Sequence, residues 1–339
     1  EMIEIDGSFG EGGGQIVRTA VALSAVTGKP VQIDRIRQGR PKPGLAPQHA
    51  QAILALASIC DAKTSGVVPG SSRIAFEPGE IHGGMYKINI GTAGSVTLLM
   101  QCLLPALLMA DDETTLEVQG GTDVEWSPTI DYLANVFLPA LQQFGAKAKL
   151  ELKRRGYYPK GQGMVTLHVE PSDLEAAAFD DSSQKVGQKI VHGVSHSSNL
   201  PVHVAKRQAD SAIKELKQAG YDSDVLTKAL QLPSTGSGIT LWSGWKGTSC
   251  LGKRGLPAEK VGEKAAKDLI LELGFGSRID LHLADQLIPY LALAGGIMSA
   301  REISRHAKTN IWTAEQFLPA KIEIRGTDVV FEIESTPGG

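Results

Sequence analysis

The apolar positions along this chain follow two rhythms. Runs of period two, such as Ile3–Ile5 and Lys87–Ile90, predict strands, and longer runs of period near 3.6, such as Ile16–Val26 and Val96–Met109, predict helices. Each of these helices starts beside a glycine-marked turn, Gly12-Gly13-Gly14-Gln15 or Gly91-Thr92-Ala93-Gly94-Ser95. A third copy of the pattern reads as a strand Ile279–Leu283, a turn Ala284-Asp285-Gln286 and a helix Leu287–Ile297. Further helices are predicted over His49–Cys60, Ile130–Phe144 and Ile311–Leu318. Each leads into two strands: Lys63–Val67 with Arg73–Glu77, Lys147–Lys153 with Met164–Glu170, and Lys321–Arg325 with Val329–Glu334. Strand, helix and strand pair thus recur about three times, near residues 1–84, 85–175 and 276–339, which predicts a repeat architecture of α/β (α+β) class.

Between the second and third copies lies a stretch that breaks the pattern, entered through Asp180-Asp181-Ser182-Ser183. It reads as a strand Lys189–Ser195, a charged helix His203–Ala219, a turn at Ser234–Gly238, a strand Ile239–Trp242 and a helix Ala258–Leu273. The expected organisation is therefore a core of residues 1–183 and 276–339, with residues 184–275 as a small inserted α/β domain. Charge adds to this picture. The chain carries a net charge of −3, yet residues 184–275 hold 13 Lys and Arg against 8 Asp and Glu, and the remainder 21 against 29. A basic insert on an acidic body could help hold a polyanion, or it is a solvated basic face.

Composition narrows the class. With 42% hydrophobic and 21% charged residues, the chain reads as a globular protein large enough for a sizeable core. Its longest apolar runs, such as Leu103 to Ala110, are far shorter than a membrane span, and no leader pattern is read at the start. Cys60, Cys102 and Cys250 are isolated, which disfavours disulfides and metal clusters and fits a reducing cytoplasm. Cys60 and Cys102 fall in apolar helical patterns and are expected in the core.

Three segments could carry chemistry. In Phe9-Gly10-Glu11-Gly12-Gly13-Gly14-Gln15-Ile16-Val17-Arg18 the glycine spacing matches neither a Walker A loop nor a dinucleotide fingerprint. Glycines ahead of a helix still allow close approach of a phosphate. Glu11 in such a loop would repel phosphate unless a cation intervenes. It reads as a Mg²⁺ or Mn²⁺ contact, or else as a plain helix-start carboxylate. Arg18, just beyond, points at the same phosphate or forms a surface ion pair.

The second segment is Arg37-Gln38-Gly39-Arg40-Pro41-Lys42-Pro43-Gly44-Leu45-Ala46-Pro47-Gln48-His49. Its proline and glycine content excludes helix and strand over the loop. The arginine forks favour a phosphate-gripping loop, with a solvated basic loop as the alternative. The third is Ser304-Arg305-His306-Ala307-Lys308-Thr309-Asn310. A histidine just ahead of a helix, flanked by cations, is placed to attack a phosphate held by Arg305, Lys308 and the helix N–H groups. His82, His168, His192, His196 and His203 show no supporting neighbours in sequence and read as surface or satisfied structural histidines.

Together, Gly10–Arg18, Ile36–His49, Gly91–Gln101, Gly120-Gly121-Thr122-Asp123, Leu283–Leu287 and the His306-x-x-Thr309-Asn310-Ile311 element resemble the RNA 3′-terminal phosphate cyclase family over essentially the whole chain. The resemblance implies three βαβαββ-type units related to the enolpyruvyl-transferase fold, with an inserted small α/β domain. It implies an ATP-dependent, ligase-class nucleotidyl transferase that converts an RNA 3′-phosphate to a 2′,3′-cyclic phosphodiester and releases AMP and pyrophosphate. His306 would form a covalent histidyl-AMP, and the RNA 3′-phosphate would displace it to give an RNA–ppA intermediate.

By the same resemblance Glu11 would serve the metal, Mg²⁺ or Mn²⁺, and the ATP phosphates. Arg18, Arg37, Arg40, Gln48 and His49 would hold phosphates. Gln101, Pro128, His282, Leu283, Ala284, Asp285 and Gln286 would surround the nucleoside. Implied partners are RNA 3′-phosphate ends and ATP, with no membrane, and a homodimer as the assembly. His282 departs from the pattern, since some bacterial relatives have tyrosine there. Three rivals are a non-catalytic ribosome-assembly relative, an enolpyruvyl transferase and a plain RNA-binding module. His306, the HxxTN element with the RxGRxKPGL loop, and an aromatic content of 5% argue against them in turn.

Overall fold

Residues 1–180, 190–326 and 331–336 are described by the structure, a computed structural model. The first repeat runs β1 (Ile3–Asp6), α1 (Gly14–Thr27), β2 (Val31–Asp34), α2 (Pro47–Ile59), β3 (Lys63–Ser65) and β4 (Ile74–Glu77). Its sheet has the order β1-β2-β4-β3, with β1 and β2 parallel and the other pairs antiparallel. The second repeat runs β5 (Gly84–Asn89), α3 (Val96–Leu107), β6 (Thr114–Gly120), α4 (Ile130–Tyr132), a π-helical turn Leu133–Phe137, α5 (Leu138–Gln143), β7 (Lys147–Arg154) and β8 (Gly163–Glu170). Its order, β5-β6-β8-β7, reproduces the same pairing.

The third repeat departs from the sequence reading. It begins with β9 (Ala177–Phe179) and is at once interrupted by β10 (Ile190–Ser198), α6 (His203–Gln218), β11 (Asp222–Leu230), β12 (Gly236–Ser243), β13 (Lys246–Leu251) and α7 (Ala258–Gly274). It resumes as α8 (Leu281–Ala294), β14 (Gly296–Ala300), α9 (Arg305–Phe317), β15 (Lys321–Gly326) and β16 (Phe331–Thr336). β9 is parallel to β14, and the order β15-β16-β14-β9 matches the other two sheets. The insertion therefore lies inside the third repeat, between its first strand and first helix, and not ahead of it.

The strand expected at Ile279–Leu283 is a helix start. Asp280 caps α8 by accepting a hydrogen bond from the Leu283 N–H at 2.8 Å, so Ala284-Asp285-Gln286 lies within the helix and forms no turn. The alternation of Ile279, Leu281 and Leu283 misled, because the cap on Asp280 decides the backbone. α9 likewise starts earlier than expected, capped by Ser304, and His306 sits in its first turn. The expected strand pairs are present, although Lys189, residues 181–183 and residues 329–330 lie outside the described residues.

β6 is not among the strands expected from the sequence, yet its residues alternate. In β6, Thr114, Leu116 and Val118 are buried and the residues between them are half-buried. Phe144 packs against Phe179 and Tyr290 with ring centroids 5.8 Å and 6.3 Å apart, and this cluster joins the second repeat to both separated parts of the third. The inserted unit has its own hydrophobic cluster, including Val191, Leu216, Ile239, Val261 and Leu269, under the sheet β11-β10-β12-β13. Cys60 and Cys102 are buried as expected. No helix among the described residues is long and apolar enough to cross a membrane.

Candidate active site

A cavity of about 1250 Å³ opens between the repeats and the inserted unit. Glu11, Arg18, Arg37, Arg40, Gln48, His49, Gln101, Pro128, His282, Asp285, Gln286 and His306 all line it. Leu283 and Ala284 do not: their side chains are buried on the core side of α8. The sequence thus named residues from all three repeats that the fold brings to one place.

The glycine loop owes its shape to α9. Phe9 stacks on Trp312 with centroids 4.0 Å apart, and the Glu11 N–H donates to Thr309 Oγ1 at 3.3 Å. A Cβ on Gly10, whose φ is +59°, would meet Thr309 Oγ1 at 2.4 Å. Asn310 is buried and spends both ends of its amide on protein, donating to the Asp285 carbonyl at 3.0 Å and accepting from Thr19 Oγ1 at 2.9 Å. Thr309 and Asn310 therefore position the loop, α1 and α8 around His306.

Glu11 sits at the centre of the polar contacts. Arg40 donates to both its carboxylate and its carbonyl oxygen, and the Gly13 N–H donates to Oε2 at 2.9 Å. His306 Nδ1 lies 3.7 Å from the same Oε2, and its imidazole is exposed to the cavity. α1 and α2 begin at Gly13 and Ala46 without a side-chain cap, and Gly13, Gly14, Gln15, Gln48 and His49 at their starts line the cavity.

The cavity floor is cationic. Arg18 is half-buried, has no ion pair among the described residues, and burial lowers its pKa from the ordinary value. Arg37 adopts a φ of +49° and donates to the Gly44 carbonyl at 2.9 Å, which turns the loop back on itself. Lys42, from the same loop, does not line the cavity.

His49 is buried, and desolvation with the neighbouring charges of Arg18 and Arg37 holds its pKa down to about 3, so it is neutral at physiological pH. Its Nδ1 has no hydrogen-bond partner among the described residues. Asp285 is buried as well; burial raises its pKa, and it accepts a hydrogen bond from the Ser304 hydroxyl. Buried amide atoms of Gln101 (Nε2) and Gln286 (Oε1) are also unpartnered among the described residues, which leaves polar capacity for a bound molecule.

Glu11 offers a single carboxylate beside an open cavity. That is a donor set Mg²⁺ accepts when substrate phosphates and water complete its shell, provided the Arg40 pairing opens. Among the described residues, only Asp123, Asp131 and His196 cluster as three close candidate ligands. Arg155 fills that cluster, donating to Asp131 Oδ2 at 2.6 Å and to Asp123 Oδ2 at 3.3 Å. His196, expected as a surface or satisfied structural histidine, is fully buried there, with Tyr157 Oη 2.6 Å from its Nδ1 and Asp123 Oδ1 3.5 Å from its Nε2. The Gly120-Gly121-Thr122-Asp123 motif is thus part of a buried ionic joint between repeat two and the inserted unit.

Sequence reasoning passed over Trp126, Lys253 and Arg301, which also line the cavity. Arg301 is paired with Glu272 at 2.6 Å. Trp126 could have been noticed as a lone aromatic in the turn before Pro128; nothing local marks Lys253, which reaches the cavity only through the packing of the inserted unit.

Fold and cavity define a protein of three βαβαββ repeats whose shared cleft, lined with arginines around an exposed histidine, suits a phosphate ester. The chain belongs to the RNA 3′-terminal phosphate cyclase family, whose sequence profile matches residues 9–324. Relatives bearing that name include a Methanosarcina mazei protein, 52% identical over 349 residues and covering 98% of this chain and 99% of that one. One from Archaeoglobus fulgidus is 50% identical over 98% of this chain and 100% of its own length. One from Pyrococcus furiosus is 46% identical over 96% of each. Among solved structures, the enolpyruvyl transferase NikO from Streptomyces tendae aligns at 12% identity over 99% of this chain and 82% of its own, with a TM-score of 0.24, too low to bear on the reading.

Proposed function

We propose that the protein is an ATP-dependent RNA 3′-phosphate cyclase in which His306 carries AMP. The observation that supports this best is the exposed imidazole of His306 at the cationic cavity, with Glu11 Oε2 3.7 Å from its Nδ1. A carboxylate on that side favours the tautomer with the proton on Nδ1 and leaves the Nε2 lone pair free.

Nε2 attacks the α-phosphorus of ATP; the N–P bond forms as the bond to the β-phosphate oxygen breaks, and pyrophosphate leaves. Arg18, Arg37 and Arg40 neutralise the phosphates, and the N–H groups at the starts of α1 and α2 add partial positive charge. A terminal RNA phosphate oxygen then attacks the same phosphorus and displaces His306, giving an RNA–ppA anhydride. Finally the adjacent 2′-hydroxyl attacks the RNA phosphorus, its proton is lost, the cyclic diester closes and AMP departs. This activation is needed because the monoester's own oxygens are poor leaving groups. Bound Mg²⁺ or Mn²⁺ would be held by Glu11 and would supply charge neutralisation of the triphosphate.

The nucleoside would rest among Gln101, Pro128, His282, Asp285 and Gln286, where the unpartnered amides of Gln101 and Gln286 gain partners. The test is to mix the purified protein, ATP and an RNA ending in a 3′-phosphate, and to treat the product with phosphatase. A product resistant to phosphatase, formed only with ATP, supports the reading. Recovery of an unaltered 3′-phosphate, in protein that melts cooperatively, would overturn it.

A further inference from the structure

Trp126 is 96% exposed, although it lines the cavity, and its backbone φ is +65°. Both features are costly. A bulky residue in the left-handed region is strained, and a bare indole forgoes the burial that tryptophan normally finds. The turn is held by the Ser127 hydroxyl, which donates to the Val124 carbonyl at 3.0 Å. Pro128, the next residue but one, is anchored in turn, its carbonyl accepting from Thr97 Oγ1 at 2.7 Å. The fold thus holds an aromatic face outward at the cavity on a rigid support, and none of its aromatic neighbours stacks on it among the described residues.

The inserted unit contributes Lys253, from the turn after β13, to the lining of the same cavity. It is exposed and has no ion pair among the described residues, unlike Lys264 on the same unit, which is paired with Asp268 at 2.8 Å. An aromatic face and a cation lining one open cavity are what a single-stranded polynucleotide needs: a base stacks on the ring while a backbone phosphate meets the ammonium.

We infer that Trp126 stacks a nucleobase at the 3′ end of the incoming RNA, with Lys253 contacting its backbone, so that the mouth of the cavity is the RNA-positioning site. ATP binds deeper, against α1 and α8, and does not require either side chain. The inference rests on the cyclase reading for the identity of the strand.

The experiment separates the two. RNA binding is first measured without ATP, by anisotropy of a labelled single-stranded RNA bearing a 3′-phosphate. Then His306 is loaded from labelled ATP alone, and discharge of the label is followed against RNA concentration. Trp126→Ala is expected to weaken RNA binding and raise the KM for RNA roughly ten-fold or more, while the ATP dependence of loading stays as in the wild type. Trp126→Phe recovers most of the loss. An RNA whose last two nucleotides are abasic binds wild type and Trp126→Ala alike. Lys253→Ala reduces affinity about equally for every sequence and flattens its salt dependence.

Unchanged RNA affinity in Trp126→Ala would overturn the inference, and so would a raised KM for ATP during loading, which would put the adenine on this ring. Failure of the wild type to load AMP would sink the histidyl reading alone, since the anisotropy measurement still reports on Trp126.

Discussion

His306 and Glu11 come from opposite ends of the chain, yet Nδ1 of the one stands 3.7 Å from Oε2 of the other. The contact exists because the glycine loop is fastened to α9 through Thr309 and the Phe9–Trp312 stack. It places the carboxylate beside the imidazole, so the proposed mechanism has Glu11 orient the nucleophile as well as meet a cation. Glu11→Gln keeps the size of the side chain and removes its charge. AMP loading of His306 is expected to fall by about 10- to 100-fold, on the order of 1.4–2.7 kcal/mol in the barrier. Raising the Mg²⁺ concentration should restore only part of it. Single-turnover loading rates check this, and a wild-type rate would reduce Glu11 to a loop-shaping residue.

Gly14 is constrained by packing. A Cβ there would lie 2.0–2.1 Å from the His49 ring, a contact that only displacement of a buried ring can relieve. Gly14→Ala is expected to destabilise the protein by about 1–3 kcal/mol and to reduce activity more than stability predicts, because His49 and the start of α1 shift together. A thermal melt and a loading assay on the same preparation would show it.

His49 makes acid sensitivity specific. Its folded-state pKa of about 3 lies below the ordinary value near 6.5, so an unfolded chain takes up the proton first. Its contribution to stability is complete above about pH 6.5 and is lost progressively as pH falls toward 3. The Tm advantage of wild type over His49→Gln should therefore be larger at pH 7.5 than at pH 4.5. An advantage that grows on acidification would reverse the sign and refute the assignment of a neutral, desolvated imidazole.

Phe179 tests the topology. It lies on β9, is fully buried, and touches Phe144 at 5.8 Å and Trp245 at 4.8 Å between ring centroids. Phe179→Ala is expected to cost about 3–5 kcal/mol, which denaturant unfolding would measure. A loss below about 1 kcal/mol would mean that this short strand does not complete the third sheet.

The repeat pattern was legible because most of its strands and helices are long enough for their periodicity to show. β2, β6, β9 and β14 were not read, and of these β9, three residues from Ala177 to Phe179, carries no period. The run Ile279–Leu283 alternated like a strand, although a single carboxylate, Asp280, turns it into a helix start. β11 and β13 went unread because Asp222–Leu230 and Lys246–Leu251 are largely polar or half-buried.

Legibility of the site divides the same way. Glycine, arginine and histidine loops announce themselves by composition, so Glu11, Arg37, Arg40 and His306 could be named from sequence. The loop between β2 and α2 is one such case: expected to be neither helix nor strand from Arg37 to His49, it is so as far as Ala46, while Pro47, Gln48 and His49 open α2. Roles that depend on packing were hidden. Nothing local to His196 foretells its burial against Asp123, and nothing local to Lys253 foretells its reach into the cleft. Leu283 and Ala284 were named with their neighbours on α8, but helical geometry turns them to the core.

Covalent capture of AMP is the most direct test of the whole account. Wild-type protein and His306→Ala are incubated with ATP radiolabelled at its α-phosphate and with Mg²⁺ or Mn²⁺, then run on a denaturing gel. The imidazole of His306 is exposed, so its removal should change stability by no more than about 0.5 kcal/mol. The account predicts a labelled wild-type band that acid destroys, alkali spares and RNA 3′-phosphate discharges, with no band for His306→Ala. A band of equal intensity in His306→Ala, or none in the folded wild type with either metal, would contradict it.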